Sequence, residues 1–125
     1  MSRRILLIDD SPLVLAFTRK VLENAGYSVA TAMTLDAFEV ERAKSPPDLI
    51  ILDVQMPEIF GDDLASTLRG AYGEPAPILL LSSLDEDELA ARAEEAEARG
   101  WVTKRSGPTA LLAKIAEVFE GTPPV

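Results

Sequence analysis

The sequence contains neither cysteine nor histidine. Without cysteine there is no disulfide and no thiolate metal site. Without histidine, a histidine general base, a Ser-His-Asp triad and most zinc sites are excluded. No apolar run approaches the roughly 20 residues that span a bilayer, and the residues after Met1 lack the pattern of a signal peptide. We therefore predict a cytoplasmic protein that does not insert into a membrane.

Basic residues are also scarce. The chain has 12 Lys and Arg against 21 Asp and Glu, a formal net charge of -9. This balance argues against direct nucleic-acid binding, because phosphates would be repelled. It favours cations or a basic partner surface. With 125 residues, 47% of them hydrophobic, the chain is expected to form one globular domain.

Short apolar runs alternate with helical patterns five times along the chain. The runs are rich in branched residues and too short for helices, so they predict buried strands. Alternating strands and helices predict an α/β protein with a doubly wound, five-stranded parallel sheet and helices on both faces. The predicted strands are residues 5–8, 27–32, 49–53, 78–81 and 101–103.

The helix boundaries follow from capping residues. Ser11 before Pro12 starts the first helix, and Thr34 caps the second, which extends to about Lys44. The third helix covers about 62–70, and the last starts at Gly107 and Pro108. Apolar residues at helical spacing predict the inward stripe of the first helix: Val14, Phe17, Val21, Leu22 and Ala25.

The fourth helix carries the most specific boundary prediction. Ser83 and Glu86 have the spacing of a capping box, which predicts that Ser83 caps this helix. We expect the helix to cover about 85–99 and to end at Gly100. Its acidic residues form either a solvated face or a surface for a basic partner: residues 85–88, Glu94, Glu95 and Glu97.

Polar residues end or directly follow four of the predicted strands: Asp9 and Asp10, Asp53, Ser82, and Lys104. The carboxyl ends of parallel strands meet at one edge of a sheet, so these side chains should converge. Three carboxylates in one pocket repel each other, and one takes up a proton unless a cation is present. Mg²⁺ resolves this conflict, because it binds one or two carboxylates together with water and phosphate oxygens.

The remaining two groups suit an anion beside that cation. Lys104 supplies a positive charge and Ser82 a hydroxyl donor, so the pocket fits a group with dense negative charge. A phosphoryl group fits best, because its transfer needs positioning and charge neutralisation more than acid–base help. Asp53 would then be a carboxylate nucleophile that forms an acyl phosphate.

These motifs resemble the receiver domain of two-component response regulators, of the chemotaxis-regulator type, along essentially the whole chain. The resemblance implies the flavodoxin-like strand order 2-1-3-4-5. It also implies a receiver domain at residues 1–121 and a tail or the start of a linker at 122–125. The matching residues are Asp9 and Asp10, Asp53, Met56 and Pro57, Gly61, Ser82, and Trp101 to Lys104.

The resemblance assigns roles to the predicted site. It implies that Asp53 is the phosphorylated residue. It implies Mg²⁺, or Mn²⁺ in its place, as the cofactor, held by Asp9, Asp10, Asp53 and the backbone carbonyl of Gln55.

It further implies that Ser82 and Lys104 contact the phosphoryl oxygens, and that Ser82 and Trp101 form the switch pair. Trp101 could instead be a half-buried packing residue without a switching role. Phosphorylation would shift the surface formed by the fourth helix, fifth strand and fifth helix.

The implied function is a phosphoryl-accepting signalling switch, not an enzyme beyond promoting its own phosphorylation and dephosphorylation. Its partners would be a histidine kinase or histidine phosphotransfer protein, and a downstream protein or a covalently linked output domain. Homodimerisation on activation is a further expectation.

Two features depart from the family pattern. Arg105 follows Lys104 where the family has proline in a cis bond, and a non-proline cis bond costs about 2.5–4 kcal/mol, which favours a trans bond here. Trp101 stands where the family normally has tyrosine or phenylalanine, and it is larger than either. Gln55 and Leu84 occupy the positions at which the family tunes dephosphorylation. Arg105 supports an alternative function, a receiver-like binding module that works without phosphate. A further alternative is a metal-dependent phosphatase with an aspartyl nucleophile. Such an enzyme needs a second acid two residues after the nucleophile, and Gln55 stands there instead, which argues against it.

Overall fold

The computed structural model describes residues 2 to 121. The tail or linker predicted at 122–125 lies outside the described residues. Five parallel strands form one sheet in the order β2-β1-β3-β4-β5, which confirms the predicted fold and strand order. The strands are β1 (Arg4–Ile8), β2 (Ser28–Ala32), β3 (Leu49–Asp53), β4 (Ile78–Ser82) and β5 (Gly100–Thr103).

The described residues form five α-helices: α1 (Pro12–Asn24), α2 (Leu35–Lys44), α3 (Gly61–Gly70), α4 (Glu86–Glu95) and α5 (Gly107–Glu120). A 3₁₀ turn, Lys104–Ser106, joins β5 to α5. None of the helices within residues 2–121 is long and apolar enough to cross a bilayer.

Alternate residues of β3 point into two separate cores. Leu49 and Ile51 pack with residues of α1 and α5, whereas Ile50 and Leu52 pack with residues of α2, α3 and α4. Because both faces of the strand are covered, it reads as an uninterrupted apolar run. The same period of two applies to β1 and β4, so helices cover both faces of the sheet.

Two predicted helix caps are confirmed. The Ser11 side chain accepts a hydrogen bond from the Val14 amide, and Pro12 occupies the first turn of α1. The Thr34 hydroxyl accepts one from the Ala37 amide at the start of α2. Each cap satisfies an amide that has no partner inside its helix.

The predicted start of α4 at about residue 85 agrees with the structure, but the predicted capping residue and the predicted C-terminal end are wrong. Asp85, not Ser83, is the N-cap, since its carboxylate accepts the hydrogen bond from the Glu88 amide. A carboxylate also suits the positive end of the helix dipole. The helix ends at Glu95, because Glu97 adopts the left-handed conformation with φ 57°. Gly100 therefore begins β5 and does not end the helix.

The predicted inward stripe of α1 is also wrong in part. Leu15, Thr18 and Leu22 are its buried residues, whereas Phe17 is 59% exposed. Leu13 and Phe17 both point outward, because α1 has apolar residues on more than one face. Spacing alone therefore could not select the face that contacts the sheet.

The strand register determines which strand ends are neighbours. Ile8 pairs with Leu52, Asp53 pairs with Leu81, and Ser82 pairs with Thr103. The carboxyl ends of β1, β3, β4 and β5 therefore lie side by side at one edge of the sheet.

Candidate functional site

Asp53 is the last residue of β3 and is only 3% exposed. The four apolar residues before it are fully buried, so they fix the position of its backbone. Its Oδ1 accepts a hydrogen bond from the Gln55 amide at 3.2 Å, while its Oδ2 faces Lys104. The two oxygens of this carboxylate therefore have different surroundings.

Gly61 allows the start of α3 to pack against the backbone at the end of β3. A Cβ atom at this position would lie 2.1 Å from the Asp53 carbonyl oxygen, closer than any real contact. The Gly61 amide donates to the Val54 carbonyl at 2.9 Å. The absence of a side chain at residue 61 therefore supports the position of Asp53.

The structure brings together the three acids that the sequence analysis placed at strand ends. One carboxylate oxygen from each of Asp9, Asp10 and Asp53 lies within 4.8 Å of the others. Asp9 is 1% exposed, and its Oδ1 accepts a hydrogen bond from the Ser11 amide at 2.9 Å. Asp10 is exposed, so the cluster opens to solvent on its side.

Lys104 directly follows β5 and reaches this cluster across the end of β4. Its Nζ lies 2.8 Å from Asp9 Oδ2 and 3.3 Å from Asp53 Oδ2. Its side chain is 24% exposed, whereas both acids are buried. One ammonium therefore partly neutralises two carboxylates.

Burial and charge shift the titration of this site. Burial, followed by the charge of Asp9, raises the pKa of Asp53 to about 6, and Lys104 and the Gln55 amide only partly oppose this. Burial acts to lower the pKa of Lys104. The Asp9 and Asp53 carboxylates outweigh it, and the pKa of Lys104 lies above its usual value. At neutral pH the site therefore contains ionised Asp53 and protonated Lys104.

The acids fit a hard divalent cation. Among the described residues, Asp9 Oδ2 is a buried oxygen with no hydrogen-bond donor and has only the ion pair with Lys104. Such an oxygen, next to two further carboxylates, matches the oxygen ligands that Mg²⁺ prefers. Asp9, Asp10 and Asp53 can therefore hold this ion.

Ser82 and Trp101 lie on the two strands nearest this site on its β5 side. Ser82 is fully buried at the end of β4, and its Oγ accepts a hydrogen bond from the Leu84 amide at 3.3 Å. Trp101 pairs in register with Leu80 and is half-buried against the core of the α2–α4 face. The hydroxyl of Ser82 is thus directed to its own loop.

This geometry has close counterparts in known proteins. The family model of the response regulator receiver domain matches residues 5–116. The chain is a response regulator receiver domain. Receiver domains bind Mg²⁺ at an acidic pocket, and the structure of this chain contains a cluster of the acids Asp9, Asp10 and Asp53.

Relatives in sequence are response regulators. The receiver domain is 36% identical over 111 residues to the transcriptional regulatory protein KdpE of Mycobacterium tuberculosis, an alignment that covers 89% of this chain and 48% of KdpE. It is 34% identical over 125 residues to the response regulator MprA of the same species, covering 99% of this chain and 54% of MprA. The chain thus spans about half the length of the curated relatives it matches.

Solved structures show the same fold. The chemotaxis response regulator CheY4 of Vibrio cholerae matches with a TM-score of 0.83 at 28% identity, covering 94% of this chain and 99% of that one. A LuxR-family two-component response regulator from Aurantimonas matches with a TM-score of 0.85 at 30% identity, covering 97% and 87%.

A chain of hydrogen bonds beside the receiver domain's acidic cluster was not predicted from the sequence. The Ser83 hydroxyl donates to Gln55 Oε1 at 2.8 Å, and the Arg105 guanidinium donates to the Ser83 carbonyl at 3.1 Å. No cis peptide bond occurs in the described part of the chain, so the Lys104–Arg105 bond is trans. The replacement of proline by Arg105 was the only sequence signal of this contact.

An apolar groove between α1 and α5 also went unpredicted. It has a volume of about 420 Å³, and Lys104 forms part of its wall. On its α1 side Leu13 is 78% and Phe17 59% exposed. The groove therefore adjoins the residue that contacts Asp53.

Proposed function

We propose that this receiver domain is a phosphoryl-accepting switch in which Asp53 takes a phosphoryl group from a histidine kinase or a histidine phosphotransfer protein. The contact of one ammonium, Lys104 Nζ, with both Asp9 and Asp53 supports this proposal most strongly. It joins a buried carboxylate, a second acid and a cation in one pocket. We assign residues 1–121 to the domain that performs this function.

An Asp53 oxygen attacks the phosphorus of the donor's phosphohistidine. A phosphorus–oxygen bond forms, the phosphorus–nitrogen bond breaks, and the histidine leaves with the electron pair of that bond. Asp53 has to be ionised for this attack, and its pKa of about 6 leaves it ionised at neutral pH. Its Oδ1 accepts from the Gln55 amide, which orients the carboxylate before the reaction.

The surrounding residues neutralise the transferred group. Mg²⁺, held by Asp9, Asp10, Asp53 and the Gln55 carbonyl, supplies positive charge to the phosphoryl oxygens when bound. Lys104 moves its contact from the Asp53 carboxylate to a phosphoryl oxygen. Ser82 exchanges its hydrogen bond with the Leu84 amide for one that it donates to the phosphoryl group.

The movement of Ser82 transmits phosphorylation from the site to the surface of the domain. Trp101, half-buried on the neighbouring strand, responds to the space that Ser82 vacates, and the two form the switch pair. The surface of α4, β5 and α5 changes as a result and alters binding to a partner or to a second copy. Water later hydrolyses the phosphoryl group from Asp53 in the same site. The domain therefore promotes only its own phosphorylation and dephosphorylation.

The groove between α1 and α5 supports a docking position for the phosphodonor. Its wall includes Lys104, which contacts Asp53, so a protein seated on the groove lies beside the phosphorylated residue. Leu13 and Phe17 offer exposed apolar area at its rim. An apolar helix of the donor protein is the matching partner.

The charge of this chain and the length of its relatives indicate what kind of output partner it has. KdpE is named a transcriptional regulatory protein, and this chain spans 48% of its length, which supports a covalently linked output domain. Glu94 and Glu95 are exposed on α4, which supports a basic partner surface as the alternative form of output. A net charge of -9 makes direct nucleic-acid binding by this chain unfavourable.

The proposal is tested by incubating the chain and its Asp53→Asn variant with Mg²⁺ and acetyl phosphate, and measuring intact masses. We expect one phosphoryl group on the parent, none on the variant, and none when EDTA is present. An unlabelled parent would support the phosphate-independent binding module. Repeated hydrolysis of added phosphoesters would support a phosphatase.

A further inference from the structure

Ser83 lies between the two loops that contain the reactive groups of the site. Ser83 directly follows β4, which is flanked in the sheet by β3 and β5. From the β3 side, Gln55 Oε1 accepts the Ser83 hydroxyl at 2.8 Å. From the β5 side, Arg105 donates to the Ser83 carbonyl at 3.1 Å. The residue next to Ser82 is therefore bound on both sides.

The turn that follows β5 directs two neighbouring cations to different loops. Lys104 and Arg105 share the 3₁₀ turn, which is closed by contact between the Thr103 and Ser106 hydroxyls. Lys104 contacts Asp53, and Arg105 contacts Ser83. A change at Asp53 and a change at the β4–α4 loop therefore act on the same short turn.

We propose that Gln55 and Arg105 are positioning residues that clamp Ser83, and so hold Ser82 in its resting place. The inference rests on the proposed phosphorylation of Asp53. In the resting structure Ser82 Oγ accepts from the Leu84 amide. When Ser82 turns to donate to a phosphoryl group, its neighbour Ser83 moves, and the contact with Arg105 breaks.

Arg105 contributes a side-chain hydrogen bond to the clamp that proline could not make. A proline at this position has no side-chain donor, so it could not bind the Ser83 carbonyl. The guanidinium makes a charge-assisted hydrogen bond, which is stronger than a neutral one. Arg105 therefore makes the phosphorylated arrangement harder to reach, and sets how readily the switch responds.

Loss of charge and loss of the clamp have opposite effects, which makes the inference testable. Removing a cation near the pocket would by itself weaken binding of an anion. Releasing the clamp strengthens it, because less of the binding free energy is spent on moving Ser82. The sign of the change in Arg105→Ala therefore distinguishes the two.

The experiment uses beryllofluoride, a phosphoryl mimic, with Mg²⁺ and the full 125-residue chain. Trp101 is its one tryptophan, so intrinsic fluorescence reports on the switch region. We expect Arg105→Ala to bind the mimic roughly three- to tenfold more tightly than the parent, as for the loss of one opposing hydrogen bond. Arg105→Lys, which keeps a charged donor, should lie between them.

Arg19→Ala is the matched control, since Arg19 is an exposed arginine that pairs with Glu23 on α1. It should leave the affinity unchanged. Gln55→Ala should also tighten binding, and its effect combined with Arg105→Ala should be less than additive if both act on Ser83. If the parent binds the mimic and Arg105→Ala binds it equally or more weakly, the proposed clamp is wrong, but the proposed function is not affected. A parent that neither binds the mimic nor accepts phosphate overturns the proposed function together with it.

Discussion

Lys104 Nζ lies 2.8 Å from Asp9 and 3.3 Å from Asp53, although Lys104 follows the edge strand β5 and both acids lie beyond β4. A long, flexible lysine side chain can span this distance and present a compact charge. The two acids are buried and close to each other, so each depends on this cation when no metal is bound. The Lys104 ammonium therefore contributes both to the stability of the metal-free protein and to the proposed function.

Lys104→Gln should destabilise the metal-free protein. The substitution leaves two buried carboxylates without their cation, and we expect a loss of roughly 2–4 kcal/mol, below the value for a fully buried pair because Lys104 is partly exposed. Urea unfolding without Mg²⁺ measures this. Lys114→Gln is the control, since Lys114 forms only a surface pair with Glu117 and should change stability little. Equal stability of the two variants would contradict the bridging role of Lys104.

Asp53→Asn should make the metal-free protein more stable at neutral pH. The folded-state pKa of Asp53 is raised from 3.8 to about 6, so the folded protein holds this proton more tightly than the unfolded chain. Stability from this group is highest below about pH 4 and falls as pH rises through about 6. The shift corresponds to up to about 3 kcal/mol.

The measurement for Asp53→Asn is the difference in unfolding free energy between variant and parent from pH 4 to 8, which cancels the other titrating groups. The advantage of the variant should be small near pH 4 and should level off above pH 6. An advantage that does not change with pH would show that the pKa of Asp53 is not raised.

Mg²⁺ should stabilise the parent at neutral pH and lose this effect in acid. The ion binds the ionised carboxylates, so protons compete with it below the Asp53 pKa of about 6. Thermal unfolding with and without Mg²⁺ at pH 5 and pH 7.5 tests this. Asp10→Asn should abolish the shift in Tm, whereas Asp87→Asn, an exposed acid on α4, should retain it. A shift that both variants retain equally would point to non-specific binding.

Gly61→Ala should destabilise the domain and impair phosphorylation together. The new Cβ would meet the Asp53 carbonyl oxygen at 2.1 Å, so α3 or the end of β3 has to move. Overpacking of this kind costs about 1–3 kcal/mol. Gly70→Ala, in the same helix, meets nothing within 4 Å and should be neutral or slightly stabilising.

Unfolding free energy and the rate of labelling by acetyl phosphate are the two measurements for this pair of glycine variants. Wild-type labelling by Gly61→Ala would show that the close approach of α3 does not position Asp53.

The residues at the strand ends could be predicted, because parallel strands that are buried on both faces leave polar residues only at their ends. Asp9, Asp53 and Lys104 were located this way, and the structure places them in contact. The partners of Ser83 could not be predicted. Ser83 had the spacing of a helix cap, but its hydroxyl faces Gln55 across the neighbouring loop. Such contacts depend on loop geometry, which periodicity does not specify.

The position of Phe17 shows a second limit. An amphipathic pattern predicts that an apolar residue faces a core, but it does not say whether that apolar surface is covered within the chain. Phe17 remains 59% exposed beside the groove between α1 and α5. The groove that it borders includes Lys104, which contacts Asp53, the residue proposed to be phosphorylated.

Phe17→Ser should slow phosphorylation by a protein donor but not by a small one. The exposed ring lies at the rim of the groove proposed for the donor, so its loss removes apolar contact area without touching Asp53. We expect a roughly tenfold lower rate with a phosphorylated histidine phosphotransfer protein, as for an interface residue worth more than 1 kcal/mol. Acetyl phosphate needs no docking surface, so its rate should be unchanged. Val40→Ser, exposed on α2 away from the groove, should affect neither rate. An equal loss with both donors would place the defect in the site itself and would contradict docking between α1 and α5.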